Sequence, residues 1–178
     1  FTKVFDPTQN DPTVVIEGLE PLLEILHQDI SQGDIPVSDA DSEPANSAST
    51  PSELLNFLQN SNIGMQVSLW QRLREAYESI DYQPMVLCCY FRVIELLLSD
   101  LKSPSYSEKS LSERQTVLLK YIRLINDLIS KICLSVSSHS DALDCMDDER
   151  LQNAMSCLVD LQKMLHASTM LQDEIKIG

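Results

Sequence analysis

The chain has 178 residues, of which 43% are hydrophobic, with only four glycines. That length holds one domain with a real core, or two small ones. A formal net charge of −14 argues against direct binding to a nucleic-acid backbone, and no apolar run approaches the ~20 residues that a membrane-spanning helix needs.

The charge is uneven: residues 1–67 carry −10 and residues 68–178 carry −4. Low glycine with abundant Leu, Ile, Gln and Glu favours helix over strand. The chain begins with Phe1 rather than Met and reads as a segment excised from something longer. Residues 1–10 show no periodicity and are expected to be an extended lead-in. Asp11-Pro12 is a helix start, an N-cap followed by proline at the first helical position. Val15, Ile16, Leu19, Leu22, Leu23, Leu26 and Ile30 then keep a helical stripe. Gly18 and Pro21 weaken it, because proline removes a backbone bond and crowds the preceding turn. The expectation is a kinked helix, or a turn followed by a second helix from Pro21 to Ile30.

Ser31 to Ser49 reads SQGDIPVSDADSEPANSAS and holds Asp34, Asp39, Asp41 and Glu43 with no base. Its few apolar side chains do not offset the entropy of ordering it. A flexible acidic linker is expected, rapidly cleaved in limited proteolysis. The same four acids are candidate partner-binding residues, an acidic tether for a basic protein. Ser38, with acids at the next and third positions, fits an acidophilic kinase.

Thr50-Pro51-Ser52-Glu53 has a capping-box pattern and opens a short helix expected to stop near Asn60 to Asn62. Ser68 is the expected cap of the next helix, where Trp70, Leu73, Ala76, Tyr77 and Ile80 make one apolar face. Tyr82-Gln83-Pro84 restarts a helix. Met85, Val86, Cys89, Tyr90, Val93, Ile94, Leu97, Leu98 and Leu101 give it a face wide enough for two neighbours. Ser103-Pro104-Ser105 ends it. A second capping box, Ser110-Leu111-Ser112-Glu113, opens the longest helix, to about Val136, with Leu118, Tyr121, Ile122, Ile125, Ile129, Ile132 and Val136 on one stripe that Val117, Leu124 and Leu128 widen. Ser137 to Asp144 is read as a polar connection. Asp147, Asp148 and Glu149 suit the start of the last helix, whose apolar positions are read as Leu151, Met155, Leu158, Leu161, Leu165 and Met170.

The fold class is therefore all-α: antiparallel helical hairpins forming a bundle or an α-solenoid. The expected division is a helical segment over 1–30, the acidic linker over 31–49 and a helical bundle or repeat domain over 50–178.

No constellation of catalytic residues stands out, and no catalytic, metal-ligating or cofactor-binding residue is assigned. His27, His139 and His166 are scattered, with no HExxH pattern. Asp141, Asp144, Asp147 and Asp148 lack the glycine and the spacing of an EF-hand loop. No glycine-rich phosphate loop exists. Cys88, Cys89, Cys133, Cys145 and Cys157 show neither CxxC nor zinc spacing, and such scattered thiols point to a reducing compartment, nucleus or cytoplasm.

Trp70, Leu73 and Tyr77 fall at the W-x2-L-G-x2-Y positions of the tetratricopeptide signature. Arg74 replaces its small glycine, Val86 stands at the Ala position and Tyr90 at the Phe position. No second copy lies about 34 residues away, where Pro36 and Pro104 stand. The stretch LWQRLREAYESIDYQPMVLCCYFRVIELLLSDL also resembles a more specific family, the large tetratricopeptide scaffold subunit of the HIR histone chaperone complex, fungal counterparts of the calcineurin-binding protein cabin. The likeness rests on Leu69-Trp70 with Leu73 and Tyr77, on Cys89 to Glu95, and on the acidic insertion before them. It implies a nuclear scaffold in replication-independent deposition of histones H3 and H4 and in histone-gene repression, not an enzyme.

The leading reading is a scaffold segment that binds other protein subunits, histones or chaperone-complex subunits among them, with no cofactor, nucleic acid or membrane. Adjacent helical residues point about 100° apart, so Tyr90 and Phe91 cannot face one way. One of them must meet a second layer, a further helix of the chain or a partner, and both are candidate partner-binding residues. The alternatives are a platform for homo-oligomerisation built on the last two long helices, and a regulatory subunit or enzyme whose residues converge only in space.

Overall fold

The computed structural model describes Thr8, residues 11–31 and residues 62–177, with side-chain environments for 11–24 and 62–170. The acidic stretch 32–49 and the capping box at Thr50 lie outside the described residues. Those described form helices and turns, with no strand among them. The helices are α1 (Pro12–Ser31), α2 (Ile63–Ser79), α3 (Gln83–Asp100), α4 (Pro104–Ser107), α5 (Leu111–Ser138), α6 (Ser140–Asp144) and α7 (Asp148–Ile177). By contact density the chain divides into two compact units, residues 1–76 and 77–178.

In the first unit, Asp11 caps α1, its Oδ1 accepting the Thr13 N–H at 3.0 Å. The helix then runs through Pro21 as one element, so of the two expected forms it is the single helix and not the turn with a second helix. Val15, Leu19 and Leu23 are buried, and that stripe outweighs the one backbone bond proline removes. The cap of α2 lies six residues before the expected one. Asn62 holds that place, its Oδ1 accepting the Met65 N–H at 2.9 Å. Ser68 lies inside α2 and returns its hydroxyl to the Gly64 carbonyl at 2.8 Å, the use a mid-helix serine makes of its side chain.

α2 ends in a Schellman motif. The Tyr82 N–H donates to the Tyr77 carbonyl at 3.0 Å and the Asp81 N–H to the Glu78 carbonyl at 3.1 Å. Asp81 takes the left-handed conformation, φ 55°, usually left to glycine. The rings of Tyr77 and Tyr82 close the motif edge to face, 5.9 Å apart. Ile80, expected on the apolar face, is half exposed because it sits in this turn.

The second unit is a bundle. α5 packs on α3 and α7, α7 also touches α3, and the single turn of α6 closes against α3 and α5. Ser110 caps α5 as expected: its Oγ accepts the Glu113 N–H at 3.4 Å and Glu113 returns to the Ser110 N–H at 2.9 Å. The Ser110 hydroxyl also donates to the Glu113 carboxylate at 2.5 Å, and this bond first, then the one from the Ser110 N–H, holds the Glu113 carboxyl below its ordinary value. Leu118, Tyr121, Ile122, Ile125, Leu128, Ile129 and Ile132 are buried along α5. In α3 the buried residues, Val86, Leu87, Tyr90, Phe91 and Ile94 among them, cover more than half of the circumference, a face wide enough for several neighbours.

Polar pins fix the register. Ser135 Oγ lies 3.1 Å from Gln83 Oε1, and the Tyr121 hydroxyl donates to Asp100 Oδ2 at 2.7 Å. The end of α5 thus meets the start of α3 and the reverse, so the two are antiparallel. Gln115 Nε2 donates to Ser168 Oγ at 2.7 Å, which makes α7 antiparallel to α5. Arg114 braces the connection before α5 by donating to the carbonyls of Lys109 and Ser107 at 2.8 and 2.6 Å.

Burial first, and then the bond to Asp100 with that carboxylate's charge, push the Tyr121 hydroxyl well above the ordinary tyrosine range. A group raised on folding stabilises fully below its unfolded pKa, about 10 for tyrosine, and the stability is lost as pH climbs toward the folded value. Tyr121→Phe is therefore expected to cost about 0.5–1.5 kcal/mol at neutral pH, one hydrogen bond. The variant should lose less stability than the parent above pH ~10. Urea denaturation at the two pH values checks both halves.

Candidate interaction surface

Phe91 is 3% exposed and Tyr90 is also buried. The second layer over Phe91 is a side chain of this same chain. The Arg150 guanidinium, at the start of α7, sits 4.8 Å from the ring centroid. Arg150 is itself fixed from two sides. Its Nε donates to Glu95 Oε1 at 2.8 Å, with Nη2 at 2.5 Å from the same oxygen. Its backbone N–H is capped by Asp147 Oδ1 at 3.0 Å. The other Glu95 oxygen lies 3.2 Å from Arg92 Nη1. Half-exposed ion pairs of this kind contribute about 0–1 kcal/mol each, and the cation over the ring adds about 0.5–2 kcal/mol. Together they seat the first turn of α7 on α3, so a partner reaches Phe91 only by displacing Arg150.

Of the other sequence candidates, Asp34, Asp39, Asp41 and Glu43 lie outside the described residues. Among the described residues the remaining titratable groups do not assemble into a site. No group of three or more His, Cys, Asp or Glu among the described residues is placed to hold a metal ion. The His139 ring lies 3.3 Å from the Ser135 carbonyl at the end of α5, and His166 is exposed on α7. No described helix is long and apolar enough to cross a membrane.

What the described surface offers is apolar area. Along α7 the buried positions are Ala154, Leu158 and Leu161, flanked by the half-buried Leu151 and Leu165. They recur at steps of three and four. Met155 and Met170, expected to be on that stripe, are instead 51% and 57% exposed, as are Val159 and Met164 to a similar degree. Met155 follows Ala154 by one residue, so it points about 100° away from the buried face. Where α5 leads into α6, Leu134 in α5 and Leu143 in α6 are 66% and 62% exposed. Around Leu143, Asp141, Asp144, Asp147, Asp148 and Glu149 are all exposed.

Sequence reasoning missed Arg150. A signal was present: it is the first base after five acids between Asp141 and Glu149, and it falls in the first turn of a helix, where the macrodipole disfavours a cation. A base in that place has a partner elsewhere.

Residues 1–178 match the family model described as the Histone transcription regulator 3 helical domain. The chain is 33% identical over 181 residues to a Histone transcription regulator 3 homolog of Aspergillus fumigatus, covering all of this chain and 9% of that protein. It is 32% identical to homologs of the same name from Emericella nidulans, over 179 residues, and from Chaetomium globosum, over 190 residues. Both matches cover the whole of this chain, with 8% and 10% of the relatives' lengths. The chain thus spans about a tenth of the curated relatives it matches, and the resemblance first visible between Leu69 and Leu101 extends over its full length.

Proposed function

We propose, from the premise that this chain belongs to the Histone transcription regulator 3 helical-domain family, that it is a protein-interaction segment of a nuclear histone-regulating complex. It holds other subunits in place during replication-independent deposition of histones H3 and H4 and catalyses no reaction itself. The observation that carries this reading is the match of the whole chain to a family whose curated members are named for histone transcription. The all-helical bundle, with apolar side chains left on the outside of α7, supports it, since such surfaces mark sites of protein contact. Asp34, Asp39, Asp41 and Glu43 add loose, salt-sensitive attraction for basic tails. Tyr90 and Phe91 serve the interaction through the rigidity of α3.

A second reading is favoured by one observation. Met155, Val159 and Met170 line one flank of α7, and an antiparallel pair of such flanks from two copies makes a self-complementary interface. Light scattering over a tenfold concentration range, alone and with histones H3 and H4 at low and moderate salt, separates the two. A constant monomer mass with a salt-sensitive histone complex is the expected result. A mass that rises with concentration and ignores histones makes self-assembly the function of this segment.

A further inference from the structure

We propose that the corner formed by the end of α5, α6 and the first turn of α7 is a docking surface for a basic segment carrying an apolar anchor. This assignment deepens the protein-interaction reading above and rests on it.

The starting point is apolar. Leu134 and Leu143 are the two most exposed large apolar side chains among the described residues. They belong to consecutive elements at one end of the bundle, since α6 follows α5 after the single residue His139. α6 is held in place rather than loosely attached. It packs on α3 and α5, and Ala142 on its inner side is fully buried. Leu143 is the next residue, turned about 100° from Ala142, and this anchoring keeps it in solvent. An apolar side chain held outward by a rigid turn is preorganised for contact, because little side-chain or loop entropy remains to be lost on binding.

Charge chooses the partner. Residues 140–149 carry five acids and no base, and Asp141, Asp144, Asp147, Asp148 and Glu149 are all exposed. The cations that flank this stretch in sequence are already engaged. Arg150 is paired with Glu95, and Lys131, one turn before Leu134, is 2.8 Å from Asp127. An apolar contact flanked in sequence by exposed acids, of which Asp147 is committed to Arg150, disfavours acidic partners by charge and neutral apolar partners by the cost of desolvating carboxylates with nothing to pair them. A segment rich in lysine and arginine with a leucine or similar anchor satisfies both parts.

The test uses the whole chain and a fluorescently labelled synthetic peptide of lysine and arginine with leucine at every third or fourth position. Binding is read by anisotropy. Leu134→Ser with Leu143→Ser, at exposed positions where the fold is unaffected, is expected to weaken binding about tenfold, as is replacing the peptide's leucines by serine. Asp141→Asn, Asp144→Asn, Asp148→Asn and Glu149→Gln together should abolish most of the salt dependence; Asp147 is left alone because it caps α7. Unchanged affinity in the leucine variant, or unchanged salt dependence in the charge variant, overturns the proposal. The same variants mixed with histones H3 and H4 separate this surface from the wider reading. Undiminished histone binding by both variants overturns the surface and leaves the proposed function standing. Peptide binding that follows the expected pattern, in a chain that ignores histones, supports the surface and removes the histone reading.

Discussion

Phe91→Ala is expected to destabilise the unit of residues 77–178 by about 3–5 kcal/mol, the range for deleting a buried aromatic ring. The ring is 3% exposed and carries the Arg150 guanidinium on its face. Its removal leaves a cavity in the most buried helix and takes away the platform that holds the start of α7. Arg150→Ala alone should cost only about 1–2 kcal/mol, because it removes half-exposed charge contacts and leaves the ring in place. The double variant should fall short of the sum, since both changes act on one contact. Urea denaturation of the four proteins gives the coupling energy. A loss below about 1 kcal/mol for Phe91→Ala would mean that the ring belongs to an outside partner rather than to the core.

Ile125→Asp should have the largest effect of any single change considered. Ile125 is fully buried at the middle of α5, the helix that touches α3, α6 and α7. A carboxylate there has no base within a turn on its own face, where Tyr121, Ile122, Leu128 and Ile129 stand. It must either stay charged in an apolar surrounding or take up a proton, and either choice costs several kcal/mol. Domains of this size are stable by only about 5–15 kcal/mol, so the cooperative thermal transition of the second unit should be lost or move to much lower temperature. Ile125→Val, which removes one methylene, should cost about 0.5–1.5 kcal/mol and keep the transition sharp. Circular dichroism on the pair reads both.

The two residues were not equally open to sequence reasoning. Ile125 belongs to a stripe of seven apolar side chains repeating at three and four residues, and a period that regular has one structural meaning. The capping residues Asp11 and Ser110 were legible for the same reason, since their chemistry is local. Phe91 was not, because its environment is set by Arg150, a residue on a different helix. Periodicity fixes which way a side chain points and not what meets it. The exposed Met155 and Met170 show a second limit. α7 is apolar on more than one side, so its sequence admits two stripes about 100° apart, and only packing against α5 and α3 selects the one through Ala154. Asn62 was overlooked as a cap because it was read as the end of the preceding helix, and the residue that ends one helix can also start the next. Of the candidate surface, the acids between Asp141 and Glu149 were visible as a run of charge, but the outward placement of Leu134 and Leu143 depends on how α6 folds back.

The bond spans within the second unit also set an order of assembly. Tyr121 and Asp100 are 21 residues apart, whereas Arg150 and Glu95 are 55 apart. Closing the longer loop costs about 0.9 kcal/mol more in chain entropy, and α7 is the last of these helices to leave the ribosome. The pair of α3 and α5 therefore forms first during synthesis, with Phe91 uncovered until Arg150 arrives. In that interval the newborn chain shows an aromatic side chain that the finished protein hides, so the emergence of α7 is the step that ends the chain's exposure to aggregation there.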